Sequence, residues 1–158
     1  MSKVIKYREF FSMNKALFVF ITFVVFLSAC NKKKQNTQEI KNHPVPSVAV
    51  NVALYPGDPL NFTLQGIGGW KYVDGGVFGI IVYRKSQQEF IAIERASTYY
   101  PDNASAKVKV QNDNFTCKDT ISGSTWQIID ATLTKGPAEW NLRTYGTSYD
   151  GNVLRISN

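Results

Sequence analysis

From residue 47 onward the apolar residues do not recur at helical spacing; they fall in short runs separated by turn-forming residues. Runs rich in Val, Ile, Tyr, Phe and Thr and bounded by Gly, Pro, Asn and Asp predict strands. Here they cover residues 48–54, 61–64, 70–73, 77–83, 89–93, 106–111, 114–118, 125–129, 140–145 and 153–156. The divisions fall at Tyr55-Pro56-Gly57-Asp58-Pro59, Asp74-Gly75-Gly76, Asn112-Asp113-Asn114 and Asp150-Gly151-Asn152. Gly, Asn and Asp tolerate the positive φ of tight reversals and Pro presets a turn's first step, and the last of these segments predicts a hairpin between the two final strands. The segment 77–83 is apolar almost throughout, the pattern of a central strand covered on both faces. The expected domain is all-β, a small sandwich or barrel.

A different pattern precedes it. Lys3, Lys6, Arg8 and Lys15 lead into an apolar run over 16–27, which ends at Ser28, Ala29 and Cys30 and is followed by Lys32, Lys33 and Lys34. A permanent membrane span needs about 20 apolar residues. This shorter run has the order of a cleaved export signal instead: a basic region, an apolar region, then small residues. Leu27-Ser28-Ala29-Cys30 resembles the lipobox of bacterial lipoproteins. That resemblance implies cleavage before Cys30 and acylation (diacylglycerol, palmitate-type chains) of its sulfur. One acyl chain holds a protein to a membrane only weakly, while two or three anchor it stably. The expected organisation is a signal peptide over 1–29, a lipidated Cys and flexible tether over 30–46, and the β domain over 47–158. Met13 offers a second start to the chain beside Met1, and both give the same mature protein. The tether is rich in Lys, Gln, Asn and Thr and closes on His43-Pro44-Val45-Pro46, with His43 expected to be a solvated linker residue. The expected location is the cell envelope, at the outer membrane rather than the inner, with the domain in the periplasm or at the surface.

Charge then narrows the partners. The chain holds 18 Lys and Arg against 12 Asp and Glu, but from Ser47 onward basic and acidic residues balance. The excess belongs to the signal and to lysines beside the lipid, where they face anionic headgroups. Nucleic acid is therefore not an expected partner. Of the two cysteines, Cys30 is taken by the lipid, which leaves Cys117 without an intrachain partner and the β core to supply stability alone. Cys117 itself reads as a half-buried strand residue.

Several segments, in order, resemble the Rieske iron–sulfur domain family. A strand like Phe90-Ile91-Ala92-Ile93-Glu94-Arg95 enters a first loop, and a second loop follows at 115–123. Then come Gly123-Ser124-Thr125-Trp126, Lys135-Gly136-Pro137-Ala138 and the closing Gly151-Asn152-Val153-Leu154-Arg155-Ile156. The resemblance covers residues 75–158, with 48–72 supplying the first strands. It implies a Rieske-like β fold in which two loops come together over a small base.

A working centre of that family takes a Cys and a His from each loop, as C-x-H in the first and C-x-x-H before Gly-Ser in the second, to hold a 2Fe-2S cluster. Threaded onto this chain, the motifs place Ser97 and Tyr99 in the first loop and Asp119 and Ser122 in the second. All four ligands are replaced. No histidine follows His43, and the domain's one thiol is Cys117. The expectation is a domain with no cluster and no metal. Ser97, Tyr99, Tyr100, Asp119 and Ser122 would then form either a vestigial loop pair stabilised by its own hydrogen bonds or a pocket for a small polar ligand or sugar ring, with Tyr100 on its rim. Asp119-Thr120-Ile121 resembles a bacterial O-glycosylation site. No nucleophile–His–Asp set, phosphate loop or zinc spacing can be assembled, so no enzymatic activity is expected. The leading reading is a non-catalytic binding or accessory module of the envelope with a protein partner. The alternatives are a Rieske-type electron-transfer protein and a glycan-binding surface lipoprotein.

Overall fold

A computed structural model describes residues 43–158; the expected signal peptide, Cys30 and most of the expected tether lie outside the described residues. Ten strands make two antiparallel sheets. The larger has the order β1-β10-β9-β4-β3-β2, formed by β1 (Asn51–Leu54), β2 (Trp70–Val73), β3 (Ile80–Arg84), β4 (Phe90–Glu94), β9 (Thr144–Tyr149) and β10 (Leu154–Ser157). The smaller runs β5-β6-β7-β8: β5 (Lys109–Val110), β6 (Thr116–Lys118), β7 (Thr125–Gln127) and β8 (Leu133–Lys135).

The apolar run of β3 is explained by its two faces. Successive side chains of a strand point to opposite sides. Ile81 and Tyr83 of β3, with Ile93 of β4, enter one core with Val108, Trp126 and Ile128. Ile80 and Val82, with Phe90 and Ala92, enter a second core with Leu64, Tyr145, Leu154 and Ile156. Cross-strand pairs such as Ile81 with Ile93 and Val82 with Ala92 hold the register. A one-residue slip would exchange the contents of the two cores. The hairpin expected at Asp150-Gly151-Asn152 joins β9 to β10, with Leu154 opposite Tyr149.

Four segments differ from the expectation. Residues 61–64 are not a strand; Pro59–Leu64 forms a 3-10 helix. Asp58 caps it by accepting the Leu60 N–H at 2.7 Å, and Pro59 stands in the first turn, both of them helix-start signals. Ladder pairing over 140–145 begins only at Thr144, because Trp140 and Leu142 spend their backbone groups elsewhere. The Trp140 carbonyl accepts from Trp126 Nε1 (2.9 Å) and Thr98 Oγ1 (3.0 Å), and the Leu142 N–H donates to the Ala131 carbonyl (3.0 Å). β8, a strand with no apolar alternation to announce it, is an addition.

Fourth, the chain end read as solvated tether lies against the domain from His43 onward. Val45 is fully buried, and its carbonyl accepts from Arg143 Nε (3.0 Å) and Nη2 (2.6 Å). His43 accepts the Val45 N–H at Nδ1 (3.2 Å) and donates from Nε2 to the Asn141 carbonyl (3.1 Å), with its ring edge-on to Trp140. His43 is thus a half-buried clasp rather than a solvated residue, since a buried Val and two carbonyl acceptors favour docking over hydration.

Candidate functional site at three converging loops

The first loop leaves β4 at Arg95 and is closed at its base by the Val108 N–H donating to the Arg95 carbonyl (2.8 Å). The second spans residues 119–124 between β6 and β7, closed by Asp119 N–H to Ser124 O (3.0 Å) and Gly123 N–H to Asp119 O (2.8 Å). Gly123 has φ of 79°, a conformation that suits glycine. The third carries Gly136-Pro137-Ala138 after β8.

The first two loops meet at Asp119, which is fully buried, and the third reaches it through Ser124 by a backbone N–H. Its Oδ1 accepts the N–H groups of Ile121 (2.8 Å) and Ser122 (3.3 Å). Its Oδ2 accepts the hydroxyls of Ser97 (2.7 Å) and Ser122 (2.7 Å). Ser122 has one proton and gives it to the carboxylate, so the 3.0 Å contact between its Oγ and that of Ser124 is donated by Ser124. Ser124 in turn accepts the Ala138 N–H at 2.9 Å. On the other side, Ser97 Oγ accepts the Tyr99 N–H at 3.2 Å. The result is an unbroken chain from Ala138 through Ser124 and Ser122 to the carboxylate, met by Ser97 from the first loop. In a low-dielectric interior such chains polarise and strengthen one another.

Of the four residues that the sequence resemblance sets at ligand positions, Ser97, Asp119 and Ser122 are therefore brought together. The Tyr99 side chain is not: the residue is 43 % exposed, and its ring meets that of Tyr100, a residue 40 % exposed, edge to face at 4.6 Å. Neither hydroxyl hydrogen-bonds to the cluster, so the polar residues and the aromatic pair do not form one pocket lining. Of the serines, Ser97 and Ser124 are fully buried. Ser124 is a node that sequence reasoning used only as a motif residue; its position after Gly123 was the available signal.

A second buried carboxylate was missed. Glu94, at the end of β4, is fully inaccessible and accepts from the N–H groups of Val77 (2.8 Å), Phe78 (3.0 Å) and Ala96 (2.9 Å) and from the Tyr145 hydroxyl (2.5 Å). It ties the β2–β3 connection to the start of the first loop. Burial, together with the hydrogen bond to Glu94, pushes the Tyr145 hydroxyl well above its ordinary pKa, so it stays a donor. Gly76, at φ of 63°, leaves room for this group: a Cβ there would collide with the Glu94 carboxylate. The lone acid ending an apolar strand was the signal.

Cys117 is more deeply placed than expected: it is fully buried in β6, opposite Val110 and Trp126. Burial, with a smaller effect of Asp113, pushes its thiol up to about 12. A metal ligand must be a thiolate, so this sulfur is unsuited to that role. Among the described residues no three His, Cys, Asp or Glu side chains converge as a metal site. At the loop tips the donors are hydroxyls, a carboxylate and an exposed phenol, which do not fit the two thiolates and two imidazoles of a Rieske centre.

The two sheets, with three loops gathered over the smaller one, define a Rieske-like fold. The structure is similar to the crystal structure of the cyanobacterial plasma membrane Rieske protein PetC3 from Synechocystis PCC 6803, with a TM-score of 0.50 and 17% identity, over 71% of this chain and 100% of that one. No family model matches the sequence, and no curated protein matches it. The likeness is one of fold.

Proposed function

We propose that this chain is an envelope lipoprotein, acylated at Cys30, whose Rieske-like domain carries no iron–sulfur cluster and works as a non-catalytic binding or accessory module. The observation that supports it best is the saturation of Asp119. Its two oxygens take four donors from the protein, and the serines on either side are consumed in holding it. Loop tips that in the family offer thiolates and imidazoles to iron here offer hydrogen bonds to each other. Replacing ligands by an internally satisfied network keeps the loops in place without a metal, because a buried carboxylate with its full set of donors avoids the desolvation cost of an orphaned charge.

The same saturation weighs against electron transfer and against a sugar bound in the former cluster cavity. A partner protein or glycan has a better surface in the exposed Tyr99–Tyr100 pair, whose apolar faces are free to stack. The cleavage, acylation and envelope location rest on the order of charges and the lipobox-like sequence before Cys30.

The test uses the full chain expressed in a bacterium and purified from membranes. Iron and acid-labile sulfide should be absent in stoichiometric amounts, the protein should be colourless, and no paramagnetic signal should develop on reduction. Two irons per chain would overturn the cluster-free reading. Labelled fatty acid should enter the wild-type chain and not Cys30→Ser; equal labelling of both would overturn the anchor.

A further inference from the structure

Away from the loop tips, the connection between β2 and β3 borders a cavity of about 340 Å³ into which Arg95 and Lys107 both face. Arg95 is fixed there from three sides. Its guanidinium carbon lies 3.8 Å from the centre of the Tyr72 ring, and its Nε donates to the Val108 carbonyl at 3.2 Å. Gly79, at φ of 102°, presents bare backbone along the side chain; a Cβ there would stand 3.4 Å from Arg95 Cδ and Nη1. Lys107 lies over the Phe78 ring, its ammonium 5.7 Å from the centroid.

Both cations are half-buried, and among the described residues no carboxylate lies within 4.0 Å of either. The two Nη groups of Arg95 donate to no acceptor among these residues, its Nε bond to Val108 being the side chain's hydrogen bond. Two acids are near. Asp74 borders the cavity from its exposed side. Glu94 is buried, with its oxygens already taken by three N–H groups and the Tyr145 hydroxyl. Neither neutralises the pair by direct contact. Two cations with aromatic backing thus border one cavity without a directly bound counter-charge, and an anion in that cavity would be attracted by both.

We propose that this cavity is an oxyanion site, taking the phosphate group of a phosphorylated small molecule or of a lipid headgroup. The planar guanidinium fork suits two oxygens of one phosphate, and the lysine adds a point charge to a third. The cavity has room for more than the phosphate itself. The site uses neither Ser97, Tyr99, Asp119 nor Ser122, so it stands whether or not the loop tips bind anything.

Inorganic phosphate is the probe, added to the full chain in detergent at constant ionic strength with chloride as the control. Phosphate should raise the melting temperature above the chloride control and shift the amide signals of residues 76–79, 95 and 107. Lys107→Gln, which changes a half-exposed side chain and leaves the fold intact, should weaken phosphate by about tenfold, the loss of one charge-assisted contact; Lys107→Glu should abolish it. Repeating the titration in phosphatidylglycerol nanodiscs separates the sources. Phosphate affinity that falls there and persists in detergent assigns the site to headgroups; unchanged affinity assigns it to a soluble phosphate compound. No phosphate effect beyond chloride, or equal affinity in Lys107→Gln and wild type, overturns the proposal.

Discussion

The Ser97 hydroxyl donates to Asp119 Oδ2 at 2.7 Å, and this bond ties the loop after β4 to the loop between β6 and β7. Both residues are fully buried, so the bond is made where water cannot compete for it. It joins the two residues that the sequence resemblance sets at the Cys positions of the Rieske motifs.

Because Asp119 gathers four donors in a dry setting, its removal should cost more than a surface change. Asp119→Ala leaves two hydroxyls and two N–H groups without an acceptor, and we expect a loss of about 3 kcal/mol in denaturant unfolding. Ser97→Ala removes one donor to a charged group, for a loss of about 2 kcal/mol. Wild-type midpoints for both would show that the network is not what holds the loops.

The Tyr99 and Tyr100 side chains lie outside that network, and their replacement should separate binding from stability. Tyr99→Ser and Tyr100→Ser should each change unfolding free energy by less than about 1 kcal/mol. If this pair is the partner surface, the same variants should lose capture of whatever the wild-type chain retains in envelope extracts. A large drop in stability would instead make the pair a structural element.

Tyr145→Phe deletes the hydroxyl that donates to buried Glu94 and should destabilise by about 2 kcal/mol, as for a hydrogen bond to a charged acceptor. Gly76→Ala should be worse, since it combines φ of 63° with a collision against that carboxylate. Both can be read from thermal unfolding; a Gly76→Ala protein as stable as wild type would mean that the β2–β3 connection is free to rearrange.

Cys117 should resist thiol reagents in the folded state at pH 8 and react fully in denaturant, because burial holds its pKa at about 12. The linkage has a definite sign. The folded pKa is raised, so this group's contribution to stability is complete below the unfolded thiol pKa and is lost as pH rises from there toward 12. Rapid labelling without unfolding would show that β6 opens readily.

At the β9–β10 turn, Asp150 accepts from the Val153 and Asn152 N–H groups and pairs with Arg155 at 2.9 Å. The backbone bond from Val153, then Arg155 and Asn152, holds its pKa down at about 2. A depressed folded pKa contributes stability that is present above the ordinary carboxylate value and is lost as pH falls through about 2. Carboxyl NMR titration of the folded protein should place Asp150 at about 2; an ordinary titration near 4 would show that the turn does not hold its side chain.

What the sequence by itself determined is what local pattern encodes. The apolar run of β3 and its match in β4 specify a central pair that feeds two cores. Asp150-Gly151-Asn152 specifies the last hairpin, and the residue types at 97, 99, 119 and 122 settle that no thiolate or imidazole stands at the loop tips. The β-rich Asn61-Phe62-Thr63-Leu64 did not specify a strand, since Asp58 and Pro59 start a 3-10 helix there. Tertiary structure alone decided the rest. Ser97 and Asp119 are 22 residues apart and Tyr145 and Glu94 are 51 apart, separations at which no periodicity links partners. Whether a polar residue faces solvent or another polar residue depends on how loops from different strands pack. His43 illustrates the same limit: in sequence it stands near the end of a polar stretch, and only Asn141, 98 residues from His43, and Arg143, 98 residues from Val45, turn that end into part of the domain. Strands are written in neighbours, whereas a buried carboxylate finds its donors only after the sheets have closed.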